Sequence, residues 1–311
     1  MRRIRLVILF LLISTGFAFA QQDMLYSQYV FHSLAINPAY AGYKEAVNAN
    51  IFTRLQWVGI PGSPKVYSAI VDGIATEGKN VGWAGQLASD TKGASNTFSV
   101  YATYAYRLAL NRRKDRLSFG ISAGLSYQLI DREKLVPYEL EDPTLANLQG
   151  EVRPDFRFGV FYDIPSFYVG LSITNIFANF TYAKKIPHLY FSLGGLLKLS
   201  EAVSLKPTLL LREDFNGPTN MDINLFGIFA DRVWLGIGYR TGVPVKGNLE
   251  SIDKLTSTNA MSFLAQIYAT QSLLVGYSYD HNLNGWPATQ EISVSYTFKQ
   301  RYNRLRNPRH F

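Results

Sequence analysis

The chain has 311 residues and no cysteine, with 47% hydrophobic residues, 14% aromatic residues and 24 glycines. Without cysteine there is no disulfide staple and no thiolate metal site, so burial and hydrogen bonding must hold the fold. The net charge of +8 comes from three arginines near the start and five cations in the last thirteen residues; residues 21–298 carry 23 basic and 23 acidic side chains, so the basicity belongs to the two ends of the chain and not to the surface as a whole.

Arg2, Arg3 and Arg5 precede the apolar run 6–13, and the stretch closes on Ala18-Phe19-Ala20. This order reads as a secretory signal peptide over 1–20, too short for a spanning helix, which needs about 20 apolar residues. Residues 21–46 hold no strand pattern and are taken up last. From residue 47 onward the period is two. "NTFSVYATYAYRL" sets Phe98, Val100, Ala102, Tyr104 and Tyr106 opposite Ser99, Thr103 and Arg107. "RLSFGISAGLSYQ" sets Leu117, Phe119, Ile121, Ala123, Leu125 and Tyr127 opposite Ser118, Gly120, Ser122, Gly124 and Ser126. Such alternation is a strand with one apolar and one small or polar side.

Fourteen segments fit: 47–57, 65–74, 81–90, 96–109, 116–128, 154–164, 166–175, 189–199, 203–212, 219–230, 232–240, 257–270, 272–280 and 290–298. Many reach the ~9–11 residues that a tilted strand needs to cross a bilayer. A soluble sandwich shares the alternation, but its core would not be small and polar, whereas a lumen would. The connections alternate between short (75–80, 110–115, 165, 200–202, 231, 271) and mostly longer ones (58–64, 91–95, 129–153, 176–188, 213–218, 241–256, 281–289). Even strand number, short periplasmic turns and longer outer loops describe an all-β transmembrane antiparallel β-barrel over 47–298, with both ends in the periplasm. Loops 129–153 and 241–256 then face outward as the expected cargo-contacting surface.

Site chemistry is sparse. His32, His188, His281 and His310 show no metal-ligand spacing, and His281 and Asp280, as strand neighbours, point to opposite faces. Glu139, Glu141 and Asp142 form an acidic loop without an EF-hand pattern, and "GKNVG" at 78–82 lacks phosphate-loop spacing. No catalytic residue, metal site or cofactor is expected. Arg107, Arg157, Arg212 and Arg240 fall on the inward face by parity. Asp155, Asp163 and Asp222 are the expected partners in structural ion pairs, with a solute-selectivity ring as the alternative. The tail, 299–311, offers Lys299, Arg301, Arg304, Arg306 and Arg309 either as a solvated end or as a docking strip for an acidic periplasmic partner.

Residues 21–46 are expected to lie in the periplasm or to fold into the lumen as a plug. Asn37-Pro38 keeps residue 37 out of the helical region, and Gly42 permits a tight corner. Gln22-Asp23, Ser27-Gln28-Tyr29, Asn37-Pro38-Ala39-Tyr40-Ala41-Gly42, Arg54, Gln56-Trp57, Gly62 and Pro64 together resemble the start of the PorP/SprF family of type IX secretion outer-membrane proteins. "VGWAGQLASDTKG" and "VYATYAYRL" with "RLSFGISAGL" resemble the family's third to fifth strands. The resemblance covers the mature chain and is most specific over 22–128.

It implies a non-enzymatic component of the secretion and gliding machinery in the cell outer membrane, supporting secretion or surface attachment of cargo such as adhesins. The implied partners are outer-membrane lipid, a secreted cargo or adhesin and periplasmic secretion components, with no nucleic acid and no small-molecule substrate. Asn37, Pro38, Ala39, Tyr40, Gly42, Arg54, Gln56, Trp57, Gly62 and Pro64 then shape a plug or an interface. The alternative function is a passive, porin-like solute channel.

Overall fold

The computed structural model describes residues 27–75, 79–110, 115–135, 150–177, 186–215, 218–243 and 259–298. The signal peptide, the motif residues Gln22-Asp23, the acidic loop residues Glu139, Glu141 and Asp142, the cationic tail and most of loops 129–153 and 241–256 lie outside the described residues.

Fifteen strands form one antiparallel sheet: β1 Asn48–Leu55, β2 Lys65–Ile74, β3 Val81–Lys92, β4 Ser95–Ala109, β5 Arg116–Ile130, β6 Glu151–Ile164, β7 Phe167–Thr174, β8 His188–Gly195, β9 Leu197–Lys198, β10 Val203–Glu213, β11 Thr219–Phe229, β12 Val233–Val243, β13 Ala260–Tyr268, β14 Leu273–Asn282 and β15 Thr289–Thr297. The last strand pairs with the first from Asn48↔Thr297 to Leu55↔Gln290, so the sheet closes on itself. Closure follows from backbone chemistry, because an open edge in hydrocarbon leaves N–H and C=O groups without partners.

The strands β8 and β9 are one stave broken at Leu196, which makes fourteen staves. The sequence pattern predicts a continuous strand over 189–199. The break falls where the register sets Gly195 opposite Pro207, which has no N–H to give to the ladder. Pro154 obeys the same rule: β6 pairs with β7 only from Phe158 to Ile164, which leaves Pro154 beyond that ladder. The connection read as 91–95 shrinks to Gly93-Ala94, since β3 and β4 stay paired up to Lys92↔Ser95.

The alternation sorts the side chains as expected. Phe98, Val100, Tyr104, Tyr106, Phe119, Ile121, Leu125 and Tyr127 are exposed on the outer face, while Ser99, Ser118, Ser122 and Ser126 are buried inside. Staves β4 and β5 have 15 residues each against 8 in β1 and in β7, so the wall is uneven in height. One end carries tight turns such as Pro165-Ser166; the other carries the longer connections, with the two-residue turn Gly93-Ala94 among them. The apolar core sits in the lumen, where buried Ala39, Tyr40 and Tyr43 pack on Phe161, Tyr168, Leu196, Ile228 and Trp234 of the wall.

Candidate functional site

The lumen holds the chain's own N-terminal segment. It is folded as three short 3-10 turns, Ser27–Val30, Ser33–Ala35 and Pro38–Tyr40. The third turn is dictated locally. Asn37 is extended at φ −133°, as a residue before proline should be, and its side-chain oxygen accepts the Ala39 N–H at 2.9 Å. Pro38 occupies the first position of the turn, where its missing N–H is not needed.

Residues 37–42 then cross the inner wall over positions that carry no side chain. A Cβ on Gly159 of β6 would overlap the Asn37 amide oxygen, one on Gly120 of β5 would overlap Pro38 and Ala39, and one on Gly82 of β3 would overlap the Ala41 carbonyl. Ala41 itself is fully buried against Ala84 and Ala105. Gly42 ends the crossing at φ +69°, and any Cβ there would stand 2.7 Å from the Gly73 carbonyl of β2. The small inward residues are therefore a track for the Asn-Pro-Ala-Tyr-Ala-Gly motif, running near the short-turn end.

Polar and aromatic contacts fasten the segment along its length. Asn37 Nδ2 donates to the Val160 carbonyl at 3.1 Å, and Ser172 Oγ donates to the Ile36 carbonyl at 2.7 Å. Arg107 donates to the Gly42 carbonyl at 2.6 Å. Tyr40 stacks on Tyr43 at 4.5 Å, and both meet the edge of Phe161. Phe31 sets its edge against Phe226 and Trp234 at 5.4 and 6.0 Å. His32 lies against Phe52 at 5.2 Å, and burial, with the Lys44 cation nearby, pushes its imidazole pKa down to about 3. His32 is therefore neutral in the folded protein.

The other end of the segment is held by charge. The backbone N–H groups of Ser27 and Gln28 donate to the two oxygens of Glu291 at 2.9 and 2.7 Å, and Gln28 Nε2 donates to the Glu291 carbonyl at 3.0 Å. Ser27 Oγ donates to Asp280 at 2.5 Å and accepts from Arg240 at 3.0 Å. Arg54 pairs with Glu291 and lies 3.5 Å from Asp280, while Arg240 pairs with Asp222 at 2.5 Å. Two guanidinium groups thus face three carboxylates, and the segment's N–H donors complete the site. All five charged residues are buried and lie toward the longer-loop ends of their staves.

The remaining motif residues belong to the β1–β2 connection. The Gln56 N–H donates to the Pro64 carbonyl at 3.0 Å, Gly62 takes φ +74° and accepts the Gly93 N–H at 3.0 Å, and Trp57 stacks on Trp286 at 4.6 Å. The motif therefore splits between the lumenal segment (Asn37, Pro38, Ala39, Tyr40, Gly42), the charge cluster (Arg54) and the loop (Gln56, Trp57, Gly62, Pro64).

The lumenal segment and all of the strands, save Thr297 at the end of β15, lie within the range that one family model matches. The model for the type IX secretion system membrane protein PorP/SprF matches residues 18–296. The chain belongs to the PorP/SprF family. As a PorP/SprF protein it is a type IX secretion component of the outer membrane. No curated protein matches it. Among solved structures it is similar to the CymD monoaromatic hydrocarbon channel, at 11% identity and TM-score 0.52, over 89% of this chain and 94% of that one. It is also similar to a Pseudomonas aeruginosa FadL homologue, at 9% identity and TM-score 0.48, over 87% and 94%. The first likeness shows the fold alone, and the second adds nothing to it.

Of the arginines expected inside this PorP/SprF barrel, Arg240 meets Asp222 as anticipated. Arg157 instead lies 3.6 Å over the Tyr101 ring and donates to Gln86 at 2.9 Å, while Tyr101 donates to Asp155 at 2.6 Å. Arg107 turns to the lumenal segment rather than only to the wall. Arg212 is buried, and Asp163 lies opposite Arg116 in the ladder. Asp280 is buried and His281 exposed, so they do face opposite ways. Among the described residues no group of His, Asp and Glu could hold a metal.

Sequence reasoning missed Asp280 and Glu291 as anchors, and it missed Lys206, buried 5.0 Å over the Trp234 ring. The available signal was a strand with two apolar faces. Phe226 and Ile228 point inward while Leu225 and Phe229 point outward, and inward aromatics have no place in a water-filled lumen.

Proposed function

We propose that this PorP/SprF protein is a non-enzymatic, plugged scaffold of the type IX secretion and gliding machinery, which supports secretion or surface attachment of cargo such as adhesins. The observation that carries the reading is the lumenal segment: the family motif is spent on packing residues 37–42 against Gly82, Gly120 and Gly159. Such a barrel offers rigid surfaces at its two mouths rather than a path or a reaction site. With the tight turns in the periplasm, as in bacterial outer-membrane barrels generally, the longer connections face outward. The cationic tail would then meet an acidic component on the periplasmic side.

A passive solute channel fits less well, because aromatic side chains of segment 27–43 occupy the space that water would need. Deleting the gene and comparing the cell-surface proteome with the parent tests the leading reading. Loss of one or more exported surface proteins is expected, and an unchanged surface proteome overturns it. Single-channel recording separates the alternative, since an open pore would pass current with the segment in place.

A further inference from the structure

We propose that the lumenal segment is threaded through the barrel from mouth to mouth, so that the chain upstream of Ser27 leaves through the long-loop mouth and its amino terminus is presented on the cell exterior. The proposal rests on the orientation given above, with the longer connections outward.

The order of contacts along the segment gives its direction. Ser27 is held by Asp280, Arg240 and Glu291. Asp280 is two residues from the long-loop end of β14 at Asn282, and Glu291 two from that of β15 at Thr289, about 7 Å along a strand. Tyr29 comes next: its hydroxyl lies 3.2 Å from Thr208 Oγ1 and accepts from Asn224 Nδ2 at 2.9 Å, halfway along β10 and β11. Ile36 and Asn37 then meet Ser172 and Val160. Gly42 finally sits beside Gly73 and Gly82, each one residue from the short-turn ends of β2 and β3. The backbone runs from one mouth to the other.

The two halves of the lumen differ in kind. At the short-turn end the interior is apolar. Tyr168 is the second residue of β7, Trp234 the second of β12 and Ile228 the last but one of β11; with Phe161 and Leu196 they pack on Ala39, Tyr40 and Tyr43. A second length of chain returning through this layer would bury its N–H and C=O groups without partners. At the long-loop end Ser27 lies among Arg54, Asp222, Arg240, Asp280 and Glu291, where a departing backbone finds donors and acceptors. The way out for the chain upstream of Ser27 is therefore outward.

The other end of the segment is gripped at the opposite mouth. Arg107 donates to the Gly42 carbonyl, and Glu45 pairs with Lys79 and Arg116, both at 2.7 Å. One continuous stretch of backbone thus joins an ion cluster near the outer mouth to another at the periplasmic mouth, which gives the exterior a covalent handle on the inner one.

The chain has no cysteine, so single introduced thiols report position without background from the barrel itself. Asp23→Cys is compared in whole cells with Leu283→Cys, in the exposed β14–β15 connection, and Ala269→Cys, in the exposed β13–β14 turn. Each is made singly in the full chain, with folding checked by the heat-dependent electrophoretic shift of a closed barrel. A charged maleimide too large to cross the outer membrane is added to intact cells, to cells with a permeabilised outer membrane and to denatured protein. Positions 23 and 283 should be labelled on intact cells, and position 269 only after permeabilisation.

Labelling at 23 only after permeabilisation, with 283 labelled on intact cells, overturns the threading and leaves the orientation and the secretion reading standing. Labelling at 23 only after denaturation overturns it as well, because the end is then enclosed. Labelling of 269 rather than 283 on intact cells reverses the orientation, and the proposal falls with it. Should Asp23→Cys not give the shift, Gln22→Cys is read in the same way.

Discussion

Arg54 in the first strand and Glu291 in the last are paired directly across the seam that closes the barrel. The same carboxylate receives the N–H groups of Ser27 and Gln28, so one side chain ties the seam and the lumenal segment together. Removing Arg54 leaves buried carboxylates under-compensated, at a cost of about 3 to 5 kcal/mol. Arg54→Met should therefore lower the urea midpoint of the purified barrel. Arg54→Met with Glu291→Met restores most of that stability, because an apolar pair replaces an ion pair, yet it leaves segment 27–46 open to protease. A double variant as unstable as the single one would show that the pair is not the seam's tie.

Gly120 tests the track. A Cβ there would overlap the Pro38–Ala39 backbone, and a valine cannot be accommodated by rotating a side chain. Gly120→Val should keep the closed barrel, as judged by heat-dependent mobility, while raising conductance in planar bilayers from near zero to a clear single-channel step. Conductance identical to that of the parent protein would mean that the segment does not close the lumen.

Asn37 both caps its own turn and reaches the Val160 carbonyl. Asn37→Ala should destabilise the turn locally by about 1 kcal/mol. The readout is amide exchange at Ala39 and Tyr40, which should speed up roughly fivefold, with the strand amides unchanged.

His32 makes the hold on the segment depend on pH. Its imidazole is neutral when docked, with a pKa pushed down to about 3, and close to the ordinary 6.5 once hydrated. The undocked state therefore binds the extra proton, so docking is fully favoured above about pH 6.5 and weakens progressively as pH falls toward 3. Protease cleavage within 27–46 should rise between pH 7 and pH 5, and His32→Gln should flatten that part of the rise. An unchanged slope in the variant would remove His32 as the cause.

The barrel was legible because every stave needs one lipid-facing side, and "RLSFGISAGL" or "NTFSVYATYAYRL" shows that side without help from the rest of the chain. The break at Leu196 was not legible: it depends on Pro207 across the ladder, a pairing that no single segment carries. The Asn37–Gly42 motif announced a tight, inert shape, but its track is spread over Gly82, Gly120 and Gly159 on three different staves. The charge cluster was half visible. Arg240 and Asp222 lie on neighbouring strands and follow from parity, whereas Ser27 meets Glu291 across 264 positions of sequence.

That separation has a consequence for biogenesis. The acceptor for the Ser27 and Gln28 N–H groups is the third residue of the last stave, so a polypeptide terminated upstream of Glu291 lacks the carboxylate that receives both of them. Completion of synthesis is thereby registered at one spot inside the molecule. A prematurely ended product would present a loose leading end, the kind of substrate that envelope quality-control proteases remove.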